Sequence, residues 1–399
     1  MASVNMVRSL TARAVRGVDA WVRHHHARRQ VVIYARNAMH VGVMDPVAAV
    51  LEGDPRLRVS YLAETPEKEA HIESATGRPR RWVRVAEAAR QRVDLFISAD
   101  PWNSPTLYRC YGRMNFFHGV AGKYNLDDPS HLPIGFDAWD RVAFINRDRL
   151  ERYAALEILK PGAAVLVGFP KLDALVNGRI DAAAVRTRLG LDGLRRTALY
   201  APTWSSASSL NMAGETIVAS LVDAGFNVIV KPHDLSFDPG QKYSGGIDWR
   251  RRLRAIERPG LIVVADDADS SPLMAASDVL VTDHSSIGFE FCLLDRPIVV
   301  IDAPDLARVA RINPERIALL RSAARVVHDP SAVGRAVTEE LAQPSARAGH
   351  RSAICRASFF EPGTATERAV AVAYELLELE PSRLRAASTH RHSVEASLS

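Results

Sequence analysis

The stretch SDVLVTDHSSIGFEFCLLDRPIVVID, residues 277–302, is the one whose reading decides the fold. It opens on an apolar run, Val279–Val281, with no polar alternation, which is how a strand buried on both faces of a parallel sheet reads. Thr282, Asp283, His284, Ser285 and Ser286 follow at once, and Asp283 or Ser285 supplies an N-cap for a helix over 286–294. A second apolar run at 297–302 returns the chain to the sheet. Strand, polar turn, helix and strand form one winding of a doubly wound α/β fold.

The same alternation repeats on either side. Strands are expected at 31–35, 58–63, 94–99, 114–118, 141–146 and 164–168, and again at 197–202, 227–233, 261–266, 279–283, 297–302 and 325–328. Helix-period segments at 84–92, 148–159, 215–224, 286–294 and 330–341 lie between them. Two sets of strands predict two Rossmann-like domains facing a cleft, 30–176 and 197–380, with a polar linker at 177–196. A last helical segment, 365–379, closes the fold, and the polar tail 381–399 is expected to be disordered.

Composition agrees. The 399 residues are 47% hydrophobic and 24% charged, which excludes wholesale disorder and fibrous repeats, and no apolar run approaches the length of a membrane span. Cys110, Cys292 and Cys355 are odd in number and far apart, so neither a disulfide framework nor a CxxC metal motif is present, and a reducing cytosol fits. The formal net charge is +5, but residues 1–30 hold six arginines against one acid, so the rest of the chain is neutral. The excess therefore does not describe a nucleic-acid-binding body, and no nucleic-acid partner is expected. In the arm, Val7, Leu10, Ala14, Val18 and Trp21 share one stripe opposite Arg8, Arg13, Arg16 and Arg23. Residues 1–29 thus read as a basic amphipathic helix, suited either to an anionic membrane surface through residues 4–29 or to packing on the body of the protein. The run His24–His26 does not converge on one helical face.

Ligands of doubly wound sheets bind outside the carboxyl ends of the strands. Four strand ends carry polar clusters: His118-Gly119 with Lys123; Ala201-Pro202-Thr203-Trp204-Ser205-Ser206; Lys231-Pro232-His233-Asp234; and Thr282-Asp283-His284-Ser285-Ser286 with Glu290 one turn on. A helix start bearing small hydroxyls suits an anion such as a diphosphate, and Gly119 lets backbone approach a ligand closely. Taken singly, each has a plain alternative, an ordinary capped helix or a structural histidine. Their convergence on one cleft is the functional signal. Asp266-Asp267 is the one acidic pair at a strand end, and a solvated loop explains it; no metal and no cofactor are expected.

Together, FFHGVAGKYN (116–125), LYAPTW (199–204), VIVKPHD (228–234) and the 277–302 block resemble the motifs of the CDP-glycerol glycerophosphotransferases, the teichoic-acid-type primases and polymerases. GFPKLDAL (168–175) and FFEPGTATERAV (359–370) resemble further landmarks of that family. The resemblance implies a GT-B fold with an N-terminal acceptor domain and a C-terminal CDP-donor domain. It also implies peripheral attachment to the inner face of the cell membrane, and transfer of glycerol phosphate from CDP-glycerol, or of ribitol phosphate from CDP-ribitol, to a lipid-linked or polymer acceptor with release of CMP. Carried over, His118 is the catalytic base and His233 the second catalytic histidine, contacting the donor phosphates. Ser285 and Ser286 hold the diphosphate and Glu290 lies near the ribose. Gly119, Thr203, Trp204, Lys231, Thr282 and Asp283 complete the donor side. Two departures stand out: His284 replaces a tyrosine typical of the family, and Val120 a common threonine. A nucleotide-sugar glycosyltransferase and a catalytically degenerate membrane-docking member are the competing readings, and self-association into a homo-oligomer is left open.

Overall fold

The computed structural model describes residues 28–123, 126–132, 136–264 and 269–380. The amphipathic helix expected in the arm, the tail 381–399 and Asp266-Asp267 fall outside them. Among the described residues, twelve strands form two six-stranded parallel sheets. The first contains β1 (Arg29–Tyr34), β2 (Leu57–Leu62), β3 (Leu95–Ser98), β4 (Arg113–Phe116), β5 (Arg141–Phe144) and β6 (Ala164–Leu166), in the order β2-β1-β3-β4-β5-β6. The second contains β7 (Thr197–Tyr200), β8 (Asn227–Val230), β9 (Leu261–Val263), β10 (Val279–Thr282), β11 (Ile298–Ile301) and β12 (Arg325–Val327), in the order β12-β11-β10-β7-β8-β9. Every strand overlaps a run expected from sequence, and β1, β2 and β4 begin one or two residues before theirs. The central strands are buried along their whole length, because helices cover both faces of each sheet.

Strand order reverses between β1 and β3 in the first sheet and between β7 and β10 in the second. A crevice opens at such a switch point, outside the carboxyl ends of the strands. The clusters after β7 and β10 flank one of these crevices. At the other, the chain leaving β1 enters a helix, Ala38–Glu52, that carries Pro46 and was not anticipated. The linker region also holds a helix, Ala182–Arg188, capped by Asp181.

The C-terminal helix, Ala365–Leu377, differs from expectation in its location. It packs on the 38–52 helix and β3 of the first sheet, not on the second. Its start explains two of the sequence landmarks together. The buried Asp173 carboxylate accepts hydrogen bonds from the backbone N–H groups of Gly363 (3.0 Å), Ala365 (3.2 Å) and Thr366 (2.6 Å). A carboxylate from GFPKLD thus caps the helix that FFEPGTATERAV begins. At its far end, Tyr374 donates to Asp54 at 2.6 Å.

The two halves are joined by the loop after β4. Asp127 accepts from Arg149 Nε (3.0 Å) and Nη2 (2.7 Å) of its own half, and from Arg316 Nε (2.9 Å) of the other. Asp127, Arg149 and Arg316 are all buried. Burial alone would raise the carboxyl pKa, but the two guanidiniums outweigh it and hold Asp127 below its ordinary value. Gly122, at φ +62°, turns the same loop, and a Cβ there would lie 2.4 Å from Asp127 Oδ2. Removing one member of a buried charge network leaves the others uncompensated, at a cost of about 3–5 kcal/mol. Asp127→Ala should therefore lower the unfolding free energy in urea by about that much, whereas Asp305→Ala, which breaks an exposed pair with Arg308, should be close to neutral. Equal effects of the two substitutions would show that the network does not hold the halves together.

Candidate active site

His118 follows β4 and Gly119 follows it. The His118 Nδ1 lies 2.9 Å from the carbonyl oxygen of Ala99, at the end of β3. A carbonyl only accepts, so Nδ1 carries the proton and Nε2 is left with a lone pair. Burial is the main reason the ring holds its proton less tightly than an ordinary histidine; the Ala99 bond and Asp100 oppose this without reversing it. His118 is therefore a neutral base at neutral pH. Arg149 Nη1 donates to the Gly119 carbonyl at 2.7 Å, so the buried network also fixes the turn that carries His118.

His233 has the opposite tautomer. Its Nδ1 accepts from the backbone N–H of Leu235 at 3.2 Å, so the ring proton sits on Nε2. Trp204 packs on this ring at 5.7 Å between centroids and meets Tyr243 edge-on at 5.3 Å. One histidine is thus set to accept a proton and the other to donate a hydrogen bond.

Ser285 and Ser286 start the helix Ser286–Phe291, and both are half-buried. Ser285 makes no capping bond with its side chain. A Cβ built on Gly119 would lie 3.1 Å from Ser286 Oγ. The His118 turn of one half thus approaches the serine turn of the other closely enough that a side chain at 119 would press on the Ser286 hydroxyl.

Other expected donor-side residues hold this geometry from behind. Asp283, 1% exposed, accepts from the backbone N–H groups of Thr203 (2.8 Å), Ser209 (2.9 Å) and His284 (2.7 Å), and from the Ser209 hydroxyl (2.9 Å). Thr203 Oγ1 donates to the His284 carbonyl at 2.7 Å, and Thr282 Oγ1 to that of Ala201 at 2.7 Å. These three side chains spend their hydrogen bonds inside the protein and act as positioning groups. Lys231 is buried, with Nζ donating to the Pro232 carbonyl at 3.0 Å. Glu290 is buried and paired with Lys171 of the first half at 3.1 Å. Lys171 also donates to Ser270 at 3.1 Å.

Sequence reasoning quoted Lys171 and Lys123 within motifs but assigned neither a role. Lys123 Nζ donates to Thr203 Oγ1 at 3.1 Å, and burial lowers its pKa to about 8. His284, the departure from the tyrosine typical of the family, has its Nε2 3.3 Å from the Ala121 carbonyl across the cleft. Burial first, and then Lys123, push its pKa down to about 4. It is a neutral strut between the halves. Among the described residues, no group of three or more His, Cys, Asp or Glu is placed to hold a metal ion, and no helix is long and apolar enough to cross a membrane.

The family model described as CDP-glycerol:poly(glycerophosphate) glycerophosphotransferase matches residues 136–309. The teichoic acid poly(glycerol phosphate) polymerase of Staphylococcus epidermidis is 26% identical over 171 residues, covering 40% of this chain and 22% of that protein. The chain therefore spans well under half of the curated relative it matches. The solved wall teichoic acid polymerase TagF superposes with a TM-score of 0.66 at 17% identity, covering 94% of this chain and 98% of that one. The S. aureus MnaA–UDP structure superposes with a TM-score of 0.52 at 14% identity, covering 89% and 98%. The two-sheet architecture is the GT-B fold, and residues 136–309 are similar to the CDP-glycerol:poly(glycerophosphate) glycerophosphotransferase family.

Proposed function

We propose that the chain transfers glycerol phosphate, or a related alditol phosphate, from a CDP-linked donor to a hydroxyl of a cell-wall polymer or lipid-linked acceptor, releasing CMP. The donor lies against the second sheet and the acceptor enters over the first. What supports the reading most is the approach of the Gly119 turn, which carries His118, to Ser286 at the start of a helix of the other half, 3.1 Å from a Cβ position on Gly119. The family match of residues 136–309 and the polymerase relative favour the same chemistry. TagF has also been solved after a soak with CDPG.

In this mechanism the acceptor oxygen attacks the β-phosphorus of the donor. Its proton passes to His118 Nε2 while the bond from phosphorus to the CMP oxygen breaks, and the electron pair leaves with CMP. Charge growing on the phosphoryl oxygens needs donors already in place. His233 Nε2–H and the Ser285 and Ser286 hydroxyls supply them, and the Lys123 ammonium supplies positive charge. Thr203, Thr282 and Asp283 keep the serine turn and the Thr203 loop in register. The Lys171–Glu290 pair ties the ribose end of the site to the first half.

We further propose that the basic arm, residues 1–29, docks the enzyme on the anionic inner face of the cell membrane, where a lipid-linked acceptor would be found. Deleting residues 1–28 should then abolish sedimentation with vesicles containing anionic lipid; unchanged sedimentation would refute this role.

His118→Gln should reduce turnover by about 10²–10⁴-fold while leaving CDP-glycerol binding by calorimetry intact. Ser285→Ala/Ser286→Ala should do the reverse, weakening donor binding. Because the active form of His118 is neutral and its pKa lies below the ordinary 6.5, kcat/KM should be flat near neutrality and fall only below pH 6.5. An acid limb centred above 6.5, or near-normal turnover by His118→Gln, would remove His118 from the role of base.

A further inference from the structure

A second imidazole lies beside the proposed base. His40 occupies the first turn of the 38–52 helix, directly after β1, at the β1/β3 switch point of the first sheet. Its ring centroid is 4.7 Å from that of His118, with the planes inclined by 36°. The side chain is 5% exposed, and Nδ1 is buried with no hydrogen-bond partner. The Asn37 cap bonds the backbone N–H of His40 and leaves the ring alone. A buried polar group without a partner is uncommon and calls for an explanation. Two ion-paired groups frame it, Arg36 at the end of β1 and Asp100 at the end of β3. Burial first, and then the neighbouring His118, keep the His40 ring neutral.

We propose that His40 is a specificity residue for the acceptor, its imidazole taking a hydrogen bond from the hydroxyl next to the one that His118 deprotonates. The inference rests on the transfer reaction proposed above. Two neutral imidazoles in ring contact at one sheet edge can each engage one of two adjacent hydroxyls of a single polyol. A lone alcohol would leave one of them unused. The acceptor class is therefore a terminus with a vicinal diol, as in a glycerol or sugar end group. His40 lies on the helix that follows β1 in the first half, against His118, and His233 of the second half is near enough to act on its charge, so donor binding is measured alongside transfer. A ring without nitrogen atoms at position 40 would preserve the packing on His118 and remove only the hydrogen bond.

The test pairs an enzyme change with a substrate change. Transfer from CDP-glycerol is measured to a glycerol-terminated acceptor and to its analogue lacking the hydroxyl adjacent to the attacking one. The wild-type enzyme should prefer the diol in kcat/KM by about tenfold, the worth of one hydrogen bond. In His40→Phe that preference should collapse toward unity, with CDP binding retained as the check on folding. A preference that persists in His40→Phe, or a wild-type enzyme indifferent to the second hydroxyl, would overturn the proposal. A second readout needs no turnover: the imidazole proton signals of His40 and His118 followed during titration of the wild-type protein with glycerol 3-phosphate. Both should move together; movement of His118 alone would refute the role of His40. Absence of transfer with both acceptors while both signals respond would instead contradict the transfer reaction and leave the His40 contact standing.

Discussion

The site depends on one buried carboxylate. Asp127 is shared by Arg149 and Arg316, and these arginines come from different halves of the molecule. Because Arg149 also holds the Gly119 carbonyl, the same charges that join the halves fix the turn that presents His118. The transfer proposed above needs groups from both sheets within reach of one phosphorus atom. The loop after β4 joins the halves through the Asp127 network, the Gly122–Asn313 backbone bond of 3.0 Å, the His284–Ala121 contact and the Lys123–Thr203 bond. Each is a contact between side chains or backbone of different halves, and all involve one short segment.

Buried polar groups divide into two kinds in this cleft. Asp283, Thr203 and Thr282 have their hydrogen bonds satisfied by the protein, which makes them rigid and leaves them little to offer a ligand. Ser285 makes no capping bond, and His40 has a buried nitrogen without a partner. Preorganised catalysis needs both kinds: groups directed at the substrate, and satisfied groups behind them that prevent the first from collapsing onto one another.

Much of the fold was legible in the sequence. Continuous apolar runs such as Val279–Val281 and Ile298–Ile301, short and separated by amphipathic helices, indicate strands covered on both faces, and two sets of them indicate two parallel sheets. The candidate site was legible where a residue type sits just after such a run, as with His118, His233 and Ser285. What stayed hidden depends on partners distant in sequence. Nothing near Asp173 indicates that its carboxylate caps a helix that begins at Ala365. The period of the last helix is the same whichever sheet it covers, so its return to the first sheet could not be read locally. His40 was missed because Pro46 and Gly42 interrupt the helical pattern around it, and only the fold brings its ring against His118. His284 was flagged as a departure, but its role as a neutral strut follows from burial, which the sequence does not display.

The central claim is chemical: the bond broken is between phosphorus and the nucleotide oxygen, not between a sugar carbon and a phosphate oxygen. It is tested most directly by incubating the purified enzyme with CDP-glycerol and a glycerol-phosphate acceptor and identifying the nucleotide released. Release of CMP, with one phosphorus gained by the acceptor for each CMP formed, is the predicted result. Release of CDP with no phosphorus gained, or turnover with a UDP-sugar in place of CDP-glycerol, would contradict it and assign the fold to glycosyl chemistry.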